Sequence, residues 1–282
     1  MSFLARIATC HDWRRERYRP FLIDGTRYGW IDDAFAARLA PHDDVFAVGA
    51  QAVSLRPEFD SFEARSGAVA DVLDALRVEG ALPYWRGELY PVSNCWGAAP
   101  VLAMERGAVP HFGVRAYGIH LNGLVRTDEG LQIWVAKRAA DRKVAPGKWD
   151  QMVAGGQPIG LSVGENVIKE CGEEAGIAPA LAARAVPVGA LSYVCEQPDG
   201  LRDDVAFCYD LWLPEDFTPL NRDGEVERFE RWSMAQAMQV VRNGDGFKFN
   251  CALVMIDLFV RHGALGPDDP DYQAIVAGLQ GR

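Results

Sequence analysis

Residues Gly155 to Ile177 read GGQPIGLSVGENVIKECGEEAGI and carry the clearest structural signal in the sequence. Ser162 and, three residues later, Glu165 form the pattern of a capping box, which fixes the start of a helix. Gly176 stands where a glycine commonly ends a helix. Apolar residues recur between them at helical spacing, namely Val163, Val167, Ile168, Cys171 and Ala175. We therefore predict a short strand that ends at Ala154, a break at the glycine pair, and one capped helix.

Three carboxylates share one face of this predicted helix. Glu170, Glu173 and Glu174 occupy positions i, i+3 and i+4, so their side chains lie close together. Like charges at this spacing destabilise a helix unless a cation lies among them, and hard divalent cations prefer oxygen ligands. We therefore predict that this face binds Mg²⁺ or Mn²⁺. Considered alone, the same run is also typical of a solvated helix face.

The whole stretch resembles the Nudix box, whose pattern is Gly, five residues, Glu, seven residues, Arg-Glu, an aliphatic residue, any residue, Glu-Glu, any residue, Gly and an aliphatic residue. Counted from Gly155, Leu161 takes the place of the first Glu and Lys169 that of the Arg. Lysine keeps the charge but loses the rigid fork of arginine. The resemblance implies catalysis by Lys169 and the three acids, and a metal site at Gly155, Glu170, Glu173 and Glu174.

The reaction that this resemblance implies is hydrolysis of a diphosphate linkage. A divalent cation can bridge an acidic helix to an anionic diphosphate and polarise its phosphoryl oxygens, while the protein mainly positions the groups. The box alone leaves the rest of the substrate open, so nucleoside diphosphate derivatives such as ADP-ribose and isoprenoid diphosphates are alternatives. Leu161 favours a further alternative, a non-catalytic Nudix module that only binds a ligand.

Three segments of the chain narrow the resemblance. PYWRGELYPV at 83–92, PHFGVRAYGIHLNGLV at 110–125 and PGKWDQMVAGG at 146–156 resemble one Nudix subfamily. Its members share a leading domain of unassigned role, and some are fused to thiamine pyrophosphokinase. Members are associated with hydrolysis of thiamine diphosphate, particularly oxidised analogues, to the monophosphate. The resemblance therefore implies this substrate class.

Several residues before the glycine pair are predicted to contact the substrate. Lys137, Arg138, Arg142 and Lys143 suit phosphate oxygens, Arg through bidentate contacts and Lys as a point charge. An exposed basic loop explains them equally well. Trp149 and Asp150 come just before the glycine strand, where an aromatic ring could stack on a cationic ring of the substrate. A core tryptophan is the alternative interpretation.

Three more candidates lie on other predicted strands. His120 and Asn122 alternate with apolar neighbours and share one strand face, which places both within reach of a substrate. A strand histidine is more often structural. Nudix enzymes often recruit an additional acid from the region of Glu225 and Glu227, and we assign Glu227 to catalysis. A solvated turn explains both acids as well.

Composition and length limit the class of protein. The chain has 282 residues, more than one typical domain, so we predict a leading α+β domain at 1–113 and a Nudix domain at 114–282. A net charge of −10 argues against nucleic-acid binding, and we find no apolar run of about 18 residues that would span a membrane. Six cysteines without CxxC spacing indicate a reducing, cytoplasmic setting. The expected partner is a small-molecule diphosphate, with a homodimer as a candidate assembly.

The predicted fold class is α+β, an α/β/α sandwich in which a mixed sheet lies between helical layers, as the Nudix resemblance implies. The expected strands are 45–55, 117–125, 131–136, 186–194, 205–213 and 228–232. The expected helices, besides the box helix, are 32–39, 64–78, 233–242 and 249–262.

Overall fold

The structure of the protein is a computed structural model that describes residues 2–281; Met1 and Arg282, the outer ends of the predicted domains, lie outside it. Its helices are α1 (Phe3–Thr9), α2 (Asp33–Leu39), α3 (Phe62–Val78), α4 (Val109–Phe112), α5 (Val163–Ala175), α6 (Pro179–Ala182), α7 (Met234–Asn243), α8 (Phe249–Arg261) and α9 (Tyr272–Leu279). Its strands are β1 (Tyr18–Ile23), β2 (Thr26–Asp32), β3 (Phe46–Val48), β4 (Val53–Leu55), β5 (Leu89–Val92), β6 (Leu102–Glu105), β7 (Arg115–Thr127), β8 (Gly130–Arg138), β9 (Trp149–Gln151), β10 (Val153–Gly156), β11 (Val186–Gln197), β12 (Gly200–Trp212) and β13 (Val226–Ser233).

The large sheet has the order β11-β12-β7-β8-β13, with β10 paired to β7 and β9 paired to β8. Strands β12 and β7 are parallel, and the other pairs are antiparallel. Apolar side chains of α5 and α6 pack on one face of the sheet. Helices α1, α7, α8 and α9 cover the other face. The predicted α/β/α sandwich with a mixed sheet is therefore confirmed.

A separate core forms in the leading part of the chain. The four-stranded sheet β2-β1-β4-β3 and the hairpin β5-β6 pack with α2, α3 and α4. Helix α1 is the exception, because Phe3 and Ile7 are buried in the core built by α8 and α9. Helix α1 therefore packs with the helices that cover one face of the large sheet. No helix in the described part of the chain is long and apolar enough to cross a membrane.

The box helix has the predicted ends. The Ser162 hydroxyl accepts the N–H of Glu165, and the Glu165 carboxylate accepts the N–H of Ser162, so the capping box is complete. Gly176 ends the helix in the left-handed conformation with φ 64°. Val167, Cys171 and Ala175 are buried against the sheet, as the apolar stripe predicted.

Two local predictions need correction, and several elements were not predicted. The strand expected to break at the glycine pair continues as β10, because Gly155 and Gly156 pair with Ile119 and Gly118 of β7. The strand expected at 45–55 is a hairpin, in which the Gly49 N–H donates to the Ala52 carbonyl at 2.8 Å. Helix α9 was not predicted, and no side chain caps its first turn.

Candidate active site

A cleft of about 250 Å³ lies where the carboxyl-terminal half of α5 faces the leading part of the chain. One side of the cleft is acidic and carries Glu170, Glu173 and Glu174 of α5. Arginines from both parts of the chain also line the cleft. The capped start and glycine end of α5 fix this helix, so that its acidic face meets β10 at the floor of the cleft.

The three acids differ in burial. Glu170 and Glu174 are buried, at 8% and 7% exposed, whereas the Glu173 side chain is 51% exposed. Glu174 accepts the N–H of Ala154 at 2.8 Å. Burial raises the pKa of Glu174 well above its ordinary value. Burial also raises the pKa of Glu170, although the neighbouring Lys169 ammonium opposes this shift. Burial thus disfavours the charged form of both carboxyl groups, and a cation bound beside them would favour it.

The Lys169 ammonium holds two of these acids close together. Its Nζ lies 3.0 Å from Oε1 of Glu170 and 2.9 Å from Oε2 of Glu173, bridging the two carboxylates. The donors around this point are carboxylate oxygens, the ligands that Mg²⁺ and Mn²⁺ prefer. Leu161, at the position of the family's first Glu, does not line the cleft. The replacement of the family's first Glu by Leu161 therefore does not remove any of the three acids that line the cleft.

Gly155 and Gly156 allow two side chains to approach β10 closely. A Cβ on Gly155 would lie 2.2 Å from Cδ of Glu170, so this carboxylate rests directly on the glycine backbone. A Cβ on Gly156 would lie 1.4 Å from the Tyr90 hydroxyl oxygen. Gly155, predicted to share the metal site, is thus in contact with one of its acids.

Three of the other predicted residues line the cleft, and one of them, Arg142, pairs with Glu225. Arg138 is nearly buried, and its Nη1 donates to Asp150 Oδ2 at 2.9 Å. His120 lies deeper, where its Nδ1 pairs with Gln151 Oε1 at 2.9 Å.

Trp149 and Asp150 do not reach the cleft. Trp149 packs in the core against Trp232, with ring centroids 4.6 Å apart, because α7 and α8 cover this part of the sheet. Asp150 is buried beneath the cleft. Burial alone would raise the pKa of Asp150, but the Lys248 and Arg138 cations lower it overall. Asp150 thus positions Arg138 instead of contacting a substrate.

Asn122, Lys143 and Glu227 also lie outside the cleft lining. Asn122 is fully buried, and its Nδ2 donates to Asp210 Oδ1 at 3.0 Å. Lys143 turns away, and its Nζ donates to the Pro83 carbonyl at 3.1 Å.

The acid on the cleft is Glu225, which pairs with Arg142 at 2.5 Å. Glu227 is exposed and pairs with Arg228 at 2.6 Å. The reason is a shift of register between β13 and β8 at Glu227, between Val226 and Arg228. This irregularity at the start of β13 could not be seen in the sequence.

A buried group of His120, Asp150 and Cys251 also brings metal-ligating atoms within 4.8 Å of one another. Its hydrogen-bonding capacity is already used, because the Cys251 thiol donates to Asp150 at 2.6 Å. Two cations, Arg138 and Lys248, flank Asp150 at 2.9 and 3.9 Å. A second positive ion would meet repulsion there, so this group does not fit a divalent cation.

The neutral state of His120 has a measurable consequence. Burial, followed by the nearby Lys248 cation, lowers the pKa of His120 from 6.5 to about 4. As the pH falls below 6.5 the unfolded chain takes up a proton that the folded chain does not, so stability is lost down to about pH 4. Between pH 7 and pH 4.5 the free energy of unfolding should fall in both proteins. We expect the fall to be about 2 kcal/mol smaller in His120→Gln than in wild type, because the variant has no histidine at this position. Urea unfolding at both pH values measures this, and parallel losses would contradict it.

Several residues on the cleft were not predicted from the sequence. They are Tyr84, Arg86, Glu88, Tyr90 and Arg106 from the leading part, and Arg202, Asp204, Lys248 and Asn250 from the remainder. The run PYWRGELYPV contains four of them, but in the sequence this run indicates a family and not a site. Their convergence depends on how the two parts pack.

A second cavity of about 490 Å³ adjoins the cleft. The two share Tyr84, Val144, Asp199, Arg202, Lys248 and Phe249 in their linings. Phe247, Ala252 and Pro146 add apolar surface to the second cavity. A molecule in the cleft could therefore extend an organic group into this space.

Comparisons with known proteins match two regions of the chain. Residues 2–116 match the profile of a domain of unknown function, DUF4743, and residues 122–249 match that of the NUDIX domain. Nudix hydrolase 20, chloroplastic, of Arabidopsis thaliana is 39% identical over 292 residues, which cover 100% of this chain and 78% of that protein. Nudix hydrolase 24, chloroplastic, of the same plant is 41% identical, over 96% of this chain and 75% of that protein.

Among solved structures, the NUDIX domain of Shewanella oneidensis NrtR complexed with ADP ribose is 14% identical and covers 54% of this chain and 90% of that chain, with a TM-score of 0.43. DR0079 from Deinococcus radiodurans is 19% identical over 62% of this chain and 98% of that chain, with a TM-score of 0.45.

The matches to the two plant proteins show that the chain belongs to the Nudix hydrolase family. It is a hydrolase that acts on diphosphate linkages, and enzymes of this family generally use a divalent metal ion. The predicted domain boundary at residue 113 stays a prediction.

Proposed function

We propose that this chain is a Mg²⁺- or Mn²⁺-dependent hydrolase of an organic diphosphate, and that thiamine diphosphate or its oxidised analogues are cleaved to the monophosphate. The observation that carries the proposal is the cleft itself. Glu170, Glu173 and Glu174 line it together with several arginines, a combination that suits a cation-bridged diphosphate.

The acidic residues of the cleft have two different roles, metal binding and proton transfer. A divalent cation held by the box acids would polarise the phosphoryl oxygens and lower the pKa of a bound water. Lys169 keeps Glu170 and Glu173 close together. Glu225, rather than Glu227, is the additional acid on the cleft, where its carboxylate can accept a proton from the attacking water.

Basic residues supply the other half of the site. Arg138 is held by Asp150 and Arg142 by Glu225, so both guanidinium groups are fixed before a ligand arrives. Arginines held in this way suit the oxygens of a diphosphate, because their donors form a planar fork. Fixed donors of this kind lose little entropy on binding.

The adjoining cavity supports a substrate with an organic group beyond the diphosphate. Tyr84 and Phe249 stand where the two spaces meet, and aromatic faces of this kind suit a planar ring. The choice of thiamine as that group rests on the resemblance of the leading part of the chain to the thiamine-associated subfamily. Trp149 takes no part in it, because its ring lies in the core.

The proposal also covers the compartment and the assembly of the protein. The structure has free thiols at all six cysteines, which suits a reducing compartment such as the cytoplasm. A homodimer is the assembly we expect, and light scattering of the purified protein measures it.

The proposal is tested with the purified protein and a panel of diphosphates. The panel contains thiamine diphosphate, its oxidised analogues, ADP-ribose and an isoprenoid diphosphate, each with Mg²⁺, Mn²⁺ or excess EDTA. We expect metal-dependent release of thiamine monophosphate, abolished by EDTA. Preference for ADP-ribose or the isoprenoid would move the substrate to that class. Tight binding without product after hours would favour a binding module, and release that is insensitive to EDTA would contradict the metal site.

A further inference from the structure

We propose that the leading part of the chain forms one wall of the catalytic cleft, and that Arg86 on this wall binds a phosphate oxygen of the substrate. This inference rests on the proposed diphosphate hydrolysis and assigns a binding residue to a domain whose role has no assignment. The wall is defined here as residues 84–90 and 105–107. It includes the start of β5 and the end of β6.

The pairing of charges singles out Arg86. The basic residues that line the cleft are Arg86, Arg106, Arg138, Arg142, Lys169, Arg202 and Lys248. Six of them have a carboxylate oxygen within 4.0 Å, supplied by Glu88, Asp150, Glu225, Glu170, Glu173 and Asp199. Among the residues that the structure describes, Arg86 has no such partner. The nearest influence of opposite charge is the Glu225 carboxylate, which lies beyond that distance and partly opposes the lowering of the Arg86 pKa.

The surroundings of Arg86 add to this imbalance. Burial, followed by the nearby Arg106 and Arg142 cations, lowers the pKa of Arg86. Neighbouring guanidinium groups repel one another, and an anion bound among them relieves the repulsion. The Arg86 side chain is exposed to solvent in the open cleft, so an incoming phosphate can reach it.

Buried contacts fix the backbone that carries Arg86. The carboxylate of Glu105 is 3% exposed and accepts the N–H groups of Arg86 at 2.6 Å, Gly87 at 3.1 Å and Gly107 at 3.1 Å. A Cβ on Gly107 would lie 2.2 Å from the Tyr84 carbonyl oxygen, so the two loops of the wall cross closely. A surface arginine on a mobile loop would not need such an arrangement. Here the position of Arg86 is determined by the fold.

The wall is also docked on the Nudix box. The Tyr90 hydroxyl fills the space that the missing side chain of Gly156 leaves open. The Ile159 N–H, in the loop before α5, donates to the Leu89 carbonyl at 2.9 Å. Because Gly156 follows the glycine that contacts Glu170, the wall and the acid face share one strand as their base. A diphosphate at the acid face therefore lies beside the wall.

The experiment compares Arg86→Gln and Arg86→Lys with Arg38→Gln, a control that removes an exposed arginine on α2. We measure kcat and KM for the hydrolysed diphosphate, and the Kd of methylenediphosphonate with Mn²⁺ by calorimetry. Arg86→Gln should raise KM and Kd by about tenfold or more, with a smaller change in kcat, because a charge-assisted hydrogen bond to bound substrate is lost. Arg86→Lys should recover part of the loss, and Arg38→Gln should match wild type.

The outcomes separate this inference from the proposed function. If wild type hydrolyses a diphosphate while Arg86→Gln keeps the wild-type KM and Kd, the assignment of Arg86 is wrong and the function stands. If wild type binds the diphosphonate, loses that binding in Arg86→Gln, yet hydrolyses nothing, the function fails and Arg86 is confirmed as an anion-binding residue. Wild type that does not bind the diphosphonate overturns the assignment. Thermal unfolding of each variant verifies folding, and Arg86→Gln should unfold like wild type because no ion pair is removed.

Discussion

Replacing Glu173 by Gln is expected to lower kcat at least about a hundredfold, the loss typical when one electrostatic group at a reacting centre is removed. Glutamine has nearly the same shape but no charge, so it weakens the hold on a divalent cation. Its side chain is 51% exposed and contacts Lys169, so stability should hardly change. Steady-state hydrolysis with saturating Mg²⁺ measures the effect, alongside thermal unfolding.

The matched control is Glu129→Gln, which removes an exposed acid in the turn between β7 and β8. It changes the net charge of the chain by the same amount as Glu173→Gln. Wild-type turnover is expected for this control. A wild-type rate in Glu173→Gln as well would remove Glu173 from the site.

Replacing Gly155 by Ala is expected to lower hydrolysis by about a hundredfold with little loss of stability. The new Cβ would lie 2.2 Å from Cδ and 2.4 Å from Cγ of Glu170, which are atoms of a flexible side chain. The side chain can move aside, so the fold survives. The Glu170 carboxylate is displaced, however, and misplacement by about 1 Å commonly costs about a hundredfold in rate.

Gly172→Ala provides the contrast on the same box. A Cβ there has only the Ile177 carbonyl oxygen nearby, at 4.0 Å. Alanine is favoured over glycine within a helix by about 1 kcal/mol, so this variant should unfold at higher urea concentration and keep its activity. If Gly155→Ala is as active as Gly172→Ala, hydrolysis does not depend on the position of the Glu170 carboxylate against β10.

Local sequence determined the box helix, because its cap, apolar stripe and final glycine all act within a few residues of one another. The acids on that helix were predictable for the same reason. Glu225 was not distinguished from Glu227, since the deciding irregularity arises from the pairing of β13 with β8. Trp149 was assigned to the substrate because its burial depends on α7 and α8, which follow much later in the chain.

The basic residues that the leading part of the chain brings to the cleft are what sequence reasoning missed. Arg86 and Arg106 come from the leading part of the chain, about 65 to 85 residues before the box acids, and reach the cleft only when that part docks on β10. The run that contains Arg86 indicates a family resemblance and no particular site. Nothing local in it shows that Tyr90 would fill the space above Gly156.

The most direct test is a crystal structure of the protein with Mn²⁺ and methylenediphosphonate, with anomalous data collected at the manganese absorption edge. We predict a manganese peak about 2 Å from carboxylate oxygens of Glu170 and Glu173, with the diphosphonate beside it in the cleft. Manganese found only at His120, Asp150 and Cys251, or a diphosphonate bound away from α5, would contradict the proposed site.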